Sequence, residues 1–268
     1  MSRILAAAVG LGTSYARPWR RAHLRLLVSE RLIQRHRIET RYGHLTFVST
    51  QAGALQMARH FHDAEPGTLA WIDGFAPGAV LWDIGANVGA YALYAGRRGD
   101  LDVVAFEPSP NSYAALCTNI AENRLDRVQA FCVALAERSR LGILHMPNSH
   151  AGSVHNAFEQ DTDLFGRRLP AERKQPALGI AADDLIERFG APAPNHIKLD
   201  VDGTEVAILR GAERMLRSPA LVSISVENAR ADTPQNRVIA AALEGVGFRP
   251  GERGRGGSDV TVNVIYRR

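Results

Sequence analysis

One stretch, Ala79 to Ala90, reads AVLWDIGANVGA and constrains the fold more than any other part of the chain. Ala79 to Asp83 has the composition of a buried strand that ends in a carboxylate. A turn with Gly85 and Gly89 follows, then a helix that Val88, Tyr91, Ala92 and Ala95 would pin to a sheet. Strand, glycine turn and helix N-terminus together form a nucleotide cradle, because the backbone can approach a ligand where no Cβ intervenes.

The rest of the chain repeats this alternation. Asp102 to Glu107 is a second buried strand, stopped by Pro108 and Pro110, and Asn111 to Asn123 reads as a helix. Strands are expected at 127–133 and 141–146, a short helix at 183–190 and a strand at 196–200. A helix over 204–217, a strand over 221–227, a helix over 234–244 and a closing hairpin near 247–248 and 260–266 finish the pattern. Such spacing predicts a mostly parallel α/β sheet. Periodicity is lost over 147–178, a lid-like insertion with Asn148, His150, Ser153, His155, Arg167, Arg168 and Lys174. The 268 residues divide into an N-terminal basic extension, 1–60, helical and accessory, and a principal domain, 61–268.

Charge is unevenly placed. Residues 1–40 hold eight arginines and two glutamates, so they carry +6 of a net +4 and leave the remainder at −2. This balance argues against a domain steered as a whole to nucleic acid. Pro18 can open a helix with Trp19, Leu26 and Ile33 on one face and Arg21, Arg25 and Arg35 elsewhere. Two readings follow: peripheral contact with an anionic membrane, or an accessory helix packed on the core or on a second subunit of a homo-oligomer. The short, broken stripe favours the second. Arg41 to Thr50 reads as extended, and Thr68 as the cap of a short helix after a turn at Glu65 to Thr68. His60 and His62, if on a strand, share a face without a further ligand pattern, so no metal is assigned. Cys117 and Cys132 suggest free thiols and a reducing, cytoplasmic setting, since the apolar run Ile4 to Leu11 is a poor export signal and no run spans a membrane.

Four expected strands end in an acid: Asp83, Glu107, Asp200 and Glu227. Ligands of open α/β sheets lie beyond the carboxyl ends of strands, so these acids should line one rim. Glu107 lies eighteen residues past Gly89, where an acid accepts both ribose hydroxyls. A dinucleotide fingerprint would need glycine at 87 and 90, where this chain has Asn87 and Ala90, and no phosphate-binding G-x-x-x-x-G-K-[ST] loop occurs. A ligand with adenosine and no pyrophosphate fits better. S-adenosylmethionine is the common one, with Asp83 near its cationic end.

Asp83 to Gly89, Phe106 to Pro110, Ala134 to Glu137, Asp183 to Leu185 and HIKLDVDGTEVAILRGA at 196–212 resemble, in order and spacing, the FkbM family of methyltransferases. The resemblance spans roughly 65–250. It implies the class I methyltransferase (Rossmann-like) fold: a seven-stranded, mostly parallel sheet, helices on both faces and a C-terminal antiparallel hairpin. It also implies O-methylation of a small-molecule or glycan hydroxyl using S-adenosylmethionine. Cofactor-binding residues expected on that basis are Asp83, Gly85, Ala86, Asn87, Gly89, Glu107, Pro108, Ser109, Ala134 and Asp200. Candidates for positioning or deprotonating the acceptor are Asp200, Asp202, Glu227 and His155, with Lys198 on the same strand face as Asp200. The chain departs from the family in Asp202, where a glutamate is usual, and in Ala182, where a leucine is usual. RNA methylation, or a non-catalytic protein that binds S-adenosylmethionine, are the alternative readings.

Overall fold

The structure is a computed structural model that describes residues 2–49, 52–160, 162, 167–168, 172–253 and 259–268. The chain opens with helices α1 (Ser2–Gly12) and α2 (Pro18–Arg31) and the strands β1 (Gln34–Thr40) and β2 (Gly43–Ser49). Short helices α3 (Ala52–Arg59), α4 (Phe61–Ala64) and α5 (Pro66–Asp73) come next. The alternation then runs β3 (Val80–Ile84), α6 (Ala90–Arg97), β4 (Asp102–Phe106), α7 (Pro110–Asn123) and β5 (Val128–Phe131). Strands β6 (Ala134–Leu135), β7 (Arg140–Met146), β8 (Ala157–Phe158) and β9 (Arg173–Ile180) precede α8 (Ala182–Glu187) and β10 (His196–Leu199). The last elements are α9 (Glu205–Arg210), α10 (Glu213–Arg217), β11 (Ser223–Ala229), α11 (Pro234–Gly245), β12 (Arg249–Arg253) and β13 (Thr261–Arg267).

The central sheet has seven strands in the order β12-β13-β11-β10-β3-β4-β5. Neighbours from β11 to β5 are parallel, whereas β13 runs antiparallel to both β11 and β12. This is the expected class I methyltransferase sheet, closed by its antiparallel hairpin. Successive strand residues face opposite sides. Leu81, Val103 and Ala105 pack with Trp71, Leu93 and Leu116 on one face, and Trp82, Val104 and Phe106 pack with Leu185, Ile208, Met215 and Leu243 on the other. Runs without polar alternation in β3 and β4 are therefore what a strand covered on both faces needs.

Several local expectations change. The helix over 204–217 is two, α9 and α10, because Asp183 of α8 caps the second: its carboxylate accepts the Arg214 and Met215 backbone N–H at 3.0 and 2.8 Å. Thr68 does not cap its helix; it lies within α5, and its hydroxyl donates at 2.7 Å to Glu65, the residue just before that helix. His60 is the turn residue between α3 and α4 and His62 lies in α4, so neither is on a strand. The insertion at 147–178 is partly regular: its end lies in β9, which joins β6, β7 and β8 in a four-stranded sheet. Residues 161, 163–166 and 169–171 of that insertion lie outside the described residues.

The 1–60 extension is not purely helical. β1 and β2 form a hairpin whose Leu45 and Phe47 belong to the core against α6 and α7, so residue 60 falls inside one packed unit. Its outer edge is satisfied by two asparagines of α7. Asn123 accepts from the Thr46 N–H and donates to the Thr46 carbonyl, each at 2.7 Å. Asn119 accepts from the Val48 N–H at 2.8 Å and donates to the Val88 carbonyl at 2.9 Å, which ties the hairpin to the glycine turn. Asn119 is fully buried, and truncation would leave two backbone groups without partners. Asn119→Ala is expected to cost about 2–4 kcal/mol, measured by urea unfolding; a loss below about 1 kcal/mol would show that these bonds do not hold the hairpin.

Candidate active site

Gly85 opens the turn after β3 with φ +86°, and a Cβ built there would lie 1.9 Å from the Asp200 carbonyl oxygen. Only glycine permits this approach, which locks the end of β10 against the turn. Backbone N–H groups of Gly85 and Ala86 donate to the Phe106 carbonyl at 2.9 and 3.0 Å, bringing the end of β4 to the same place. Asn87 is left-handed, φ 51°, a conformation asparagine tolerates better than most residues. Gly89 is the left-handed N-cap of α6, packed against Leu93 and Leu116.

These strand ends surround a cavity of about 410 Å³. Gly85, Ala86, Asn87, Glu107, Pro108, Ala134, Asp200, Asp202 and Glu227 all line it, so three adjacent parallel strands and β11 contribute to one rim. Asp83, Gly89 and Ser109 stand behind the wall: Asp83 and Ser109 are buried, and Ser109 acts through its N–H. His155, left-handed at φ 64°, is half exposed and holds Asp202 instead of lining the cavity. Its backbone N–H donates to Asp202 Oδ2 at 2.6 Å.

The Glu107 carboxylate accepts the Asn87 N–H at 2.9 Å on one oxygen and the Ser109 N–H at 2.8 Å on the other. Each oxygen keeps a second lone pair, so the buried carboxylate can still accept two hydroxyl donors in the plane of the cavity. Burial pushes its pKa up to about 7, against the lowering pull of the two N–H groups.

Lys198 is the cation of the lining, and its neighbours are acids. Fully buried, it pairs with Asp200 at 2.5 Å and with Glu65 at 3.7 Å, and its ammonium sits 4.5 Å from the centre of the Tyr91 ring. Burial alone would lower the lysine pKa; the carboxylates of Asp200 and Glu65 outweigh it and keep Lys198 charged. This one ammonium does not offset burial for every acid around it. Burial raises Glu65, takes Asp83 up to about 6 and takes Glu227, beside Asp200 and bonded to Thr261, up to about 9. Asp83 Oδ2 and Asn87 Oδ1 are buried without hydrogen-bond partners among the described residues. Asn87 also donates through Nδ2 to the Ser153 carbonyl at 3.2 Å, so the loop carrying Ser153, Val154 and Asn156 roofs the cavity.

Sequence reasoning left out Glu65, Tyr91 and Thr261 as site residues. Glu65 could have been found as a carboxylate before Pro66 that has no cation nearby in the chain; only the fold brings it to Lys198. Glu205, though next to Asp202, is buried in helix anchoring, taking bonds from the Gly203 N–H and Gln235. His196 is stacked on Phe75 and pushed by burial down to about 4, a neutral core residue. Among the described residues no three His, Cys, Asp or Glu are grouped to hold a metal ion.

A seven-stranded sheet of this order, a glycine turn, a ribose-ready acid and an acid-rich cavity define a class I S-adenosylmethionine-dependent methyltransferase. More narrowly, the chain belongs to the FkbM family: the sequence model of the methyltransferase FkbM domain matches residues 83–250. Hexuronic acid methyltransferase AglP of Haloferax volcanii is 29% identical over 149 residues, 55% of each chain. Methyltransferase sdnD of Sordaria araneosa is 28% identical over 153 residues, 49% of this chain and 59% of that protein. The 31-O-demethyl-FK506 methyltransferase FkbM of Streptomyces tacrolimicus is 26% identical over 196 residues, 64% of this chain and 73% of that protein. The first two matches thus span little more than half the length of those relatives.

The residues present fit S-adenosylmethionine: Glu107 has lone pairs for a ribose diol, and the surplus of carboxylates suits a cationic ligand. Hydroxyls donating to Glu107 favour its ionised form, so binding competes with protonation. Affinity should therefore be constant above the free pKa of about 7 and fall by about tenfold per pH unit below it. Calorimetric titration with S-adenosylmethionine between pH 6 and 8.5 reads this directly. Glu107→Ala should bind at least about tenfold more weakly with a flat profile; wild-type affinity in that variant would remove Glu107 from the ribose role.

Proposed function

We propose that this protein transfers a methyl group from S-adenosylmethionine to a hydroxyl of a sugar or small hydroxylated molecule, and that Asp200 deprotonates and positions that hydroxyl. The observation that carries this reading is the shared cavity, where the donor cradle at Gly85 to Asn87 meets Asp200, Lys198 and Glu227. S-adenosylmethionine supplies an activated methyl group on a sulfonium, and the remaining work is alignment and proton removal.

Asp200 is partly open to the cavity and anchored by Lys198, which fixes the carboxylate's direction while its other oxygen stays free. Glu227 has the opposite role. Raised to about 9, it is protonated at neutral pH and donates a hydrogen bond to the acceptor. Asp202 accepts from His155 and holds the roof loop beside the acceptor. Cofactor contacts are assigned to Gly85, Ala86, Asn87, Glu107, Pro108, Ala134 and Asp200, with Asp83, Gly89 and Ser109 supporting them from behind.

An alcohol acceptor fits because a carboxylate that can take its proton faces the cavity together with hydrogen-bonding groups. Two relatives point the same way by name, one to a hexuronic acid and one to an oxygen of FK506. The two free thiols, Cys117 and Cys132, suit a reducing setting, and we take the cytoplasm as the place of reaction.

The test is transfer of a labelled methyl group to a panel of sugars, uronic acids and hydroxylated natural products. With a responsive acceptor in hand, Asp200→Asn should lower kcat by at least about a hundredfold. Glu227→Gln, which keeps a neutral donor, should stay within about threefold at pH 7. The reverse ranking would make Glu227 the base, and donor binding without transfer to any acceptor would leave a binding protein.

A further inference from the structure

The N-terminal hairpin of α1 and α2 presents an apolar surface that the fold leaves uncovered. α2 buries none of its residues, so it is not packed on the core. Trp19 is 65% exposed and Leu26 62%, and at 100° per residue they fall on one side of the helix with Ala22 and Leu27; the exposed His23 and, near the C-terminal end of the helix, Glu30 share that side. Arg20 and Arg31 flank that stripe on one edge and Arg25 on the other. Leu24 and Val28, half-buried, lie on the opposite side. The hairpin is held from within: Arg21 donates to the Ser14 and Ala16 carbonyls and Arg25 to the Thr13 hydroxyl.

α1 adds to this surface. Its sequence, SRILAAAVGLG, is apolar almost all round, yet Ile4, Ala6, Ala7, Ala8 and Leu11 are exposed. A helix apolar on all sides is not stable against water unless something covers it. Eleven residues reach only about 16 Å, and no helix among the described residues is long and apolar enough to cross a membrane. The length suits a segment lying in the boundary between lipid headgroups and acyl chains.

Charge selects the occupant. Residues 1–40 carry a net +6 while the remaining chain carries −2; Arg35 and Arg37 are paired with Glu122 and Glu39, and Arg20, Arg25 and Arg31 are the ones beside the stripe, where headgroups would lie. Trp at the boundary, arginine beside it and small apolar residues beneath is the pattern of an interfacial anchor. We propose that the α1–α2 hairpin docks the protein on an anionic bilayer surface, with Trp19 and Leu26 in the acyl boundary and Arg20 and Arg31 on lipid phosphates. A protein partner of neutral surface, or a second copy bearing the same positive charge, would leave those arginines uncompensated.

Co-sedimentation of the full chain with vesicles tests the proposal, using phosphatidylcholine alone and phosphatidylcholine with phosphatidylglycerol. Binding is expected for the anionic vesicles, weakened at least about tenfold without phosphatidylglycerol, and weakened likewise by raising salt. Trp19 fluorescence should shift to the blue on binding, a clean signal because Trp71 and Trp82 are already buried. Trp19→Ser with Leu26→Ser, and separately Arg20→Glu with Arg31→Glu, should each weaken binding by at least about tenfold. Affinity for S-adenosylmethionine should be unchanged in both, which separates docking from folding and from the proposed reaction. Failure to bind anionic vesicles overturns the proposal. So does a dimer in light scattering that dissociates in the Trp19→Ser, Leu26→Ser variant.

Discussion

The contact of the Asp200 carbonyl with the bare face of Gly85 sets the geometry of everything that follows. It admits no side chain at position 85, and through it the ends of β3 and β10 interlock. Hydrogen bonds from Gly85 and Ala86 to the Phe106 carbonyl draw β4 into the same knot. Because these are backbone contacts between adjacent parallel strands, the residues that follow each strand emerge at fixed separations. Glu107, Asp200 and the Asn87 turn face one cavity for that reason, not because any of them attracts another.

Electrostatics then determine what the cavity accepts. A single buried ammonium, Lys198, stands among Glu65, Asp83, Asp200 and Glu227. Burial raises Glu65, Asp83 and Glu227 together, and takes Glu227 up to about 9, so that it holds its proton at neutral pH. A positively charged ligand adds compensating charge to a rim where carboxylates outnumber the one ammonium. Affinity for a cation and the presence of a protonated Glu227 thus have a common origin in the low-dielectric rim.

Much of this was legible in the sequence, and for definite reasons. Buried parallel strands announce themselves as apolar runs, so β3, β4, β10 and β11 were placed within a few residues, and the acids at their ends could be assigned to one rim. The left-handed turn required Gly85, and Asn87 already ruled out a dinucleotide. What could not be read depends on contacts between distant segments. The β1–β2 hairpin has weak alternation, and its edge is satisfied by side chains of α7, 71 and 77 residues on. Glu65 reads as a turn residue until the sheet brings it to Lys198. The split of α9 from α10 rests on Asp183, whose capping role is invisible in helix periodicity.

The roof of the cavity is fastened in a particular way. Asn87 donates to the carbonyl of Ser153, and Asp202 accepts the backbone N–H of His155. Both fastenings use main-chain groups of the loop, and the His155 ring adds a side-chain contact to Asp202. Substitutions at 153 and 154 can change what the roof presents to an acceptor without removing the main-chain groups that fasten it to the donor site. A scaffold joined in this manner can diverge in substrate preference while its methyl-donor half stays the same.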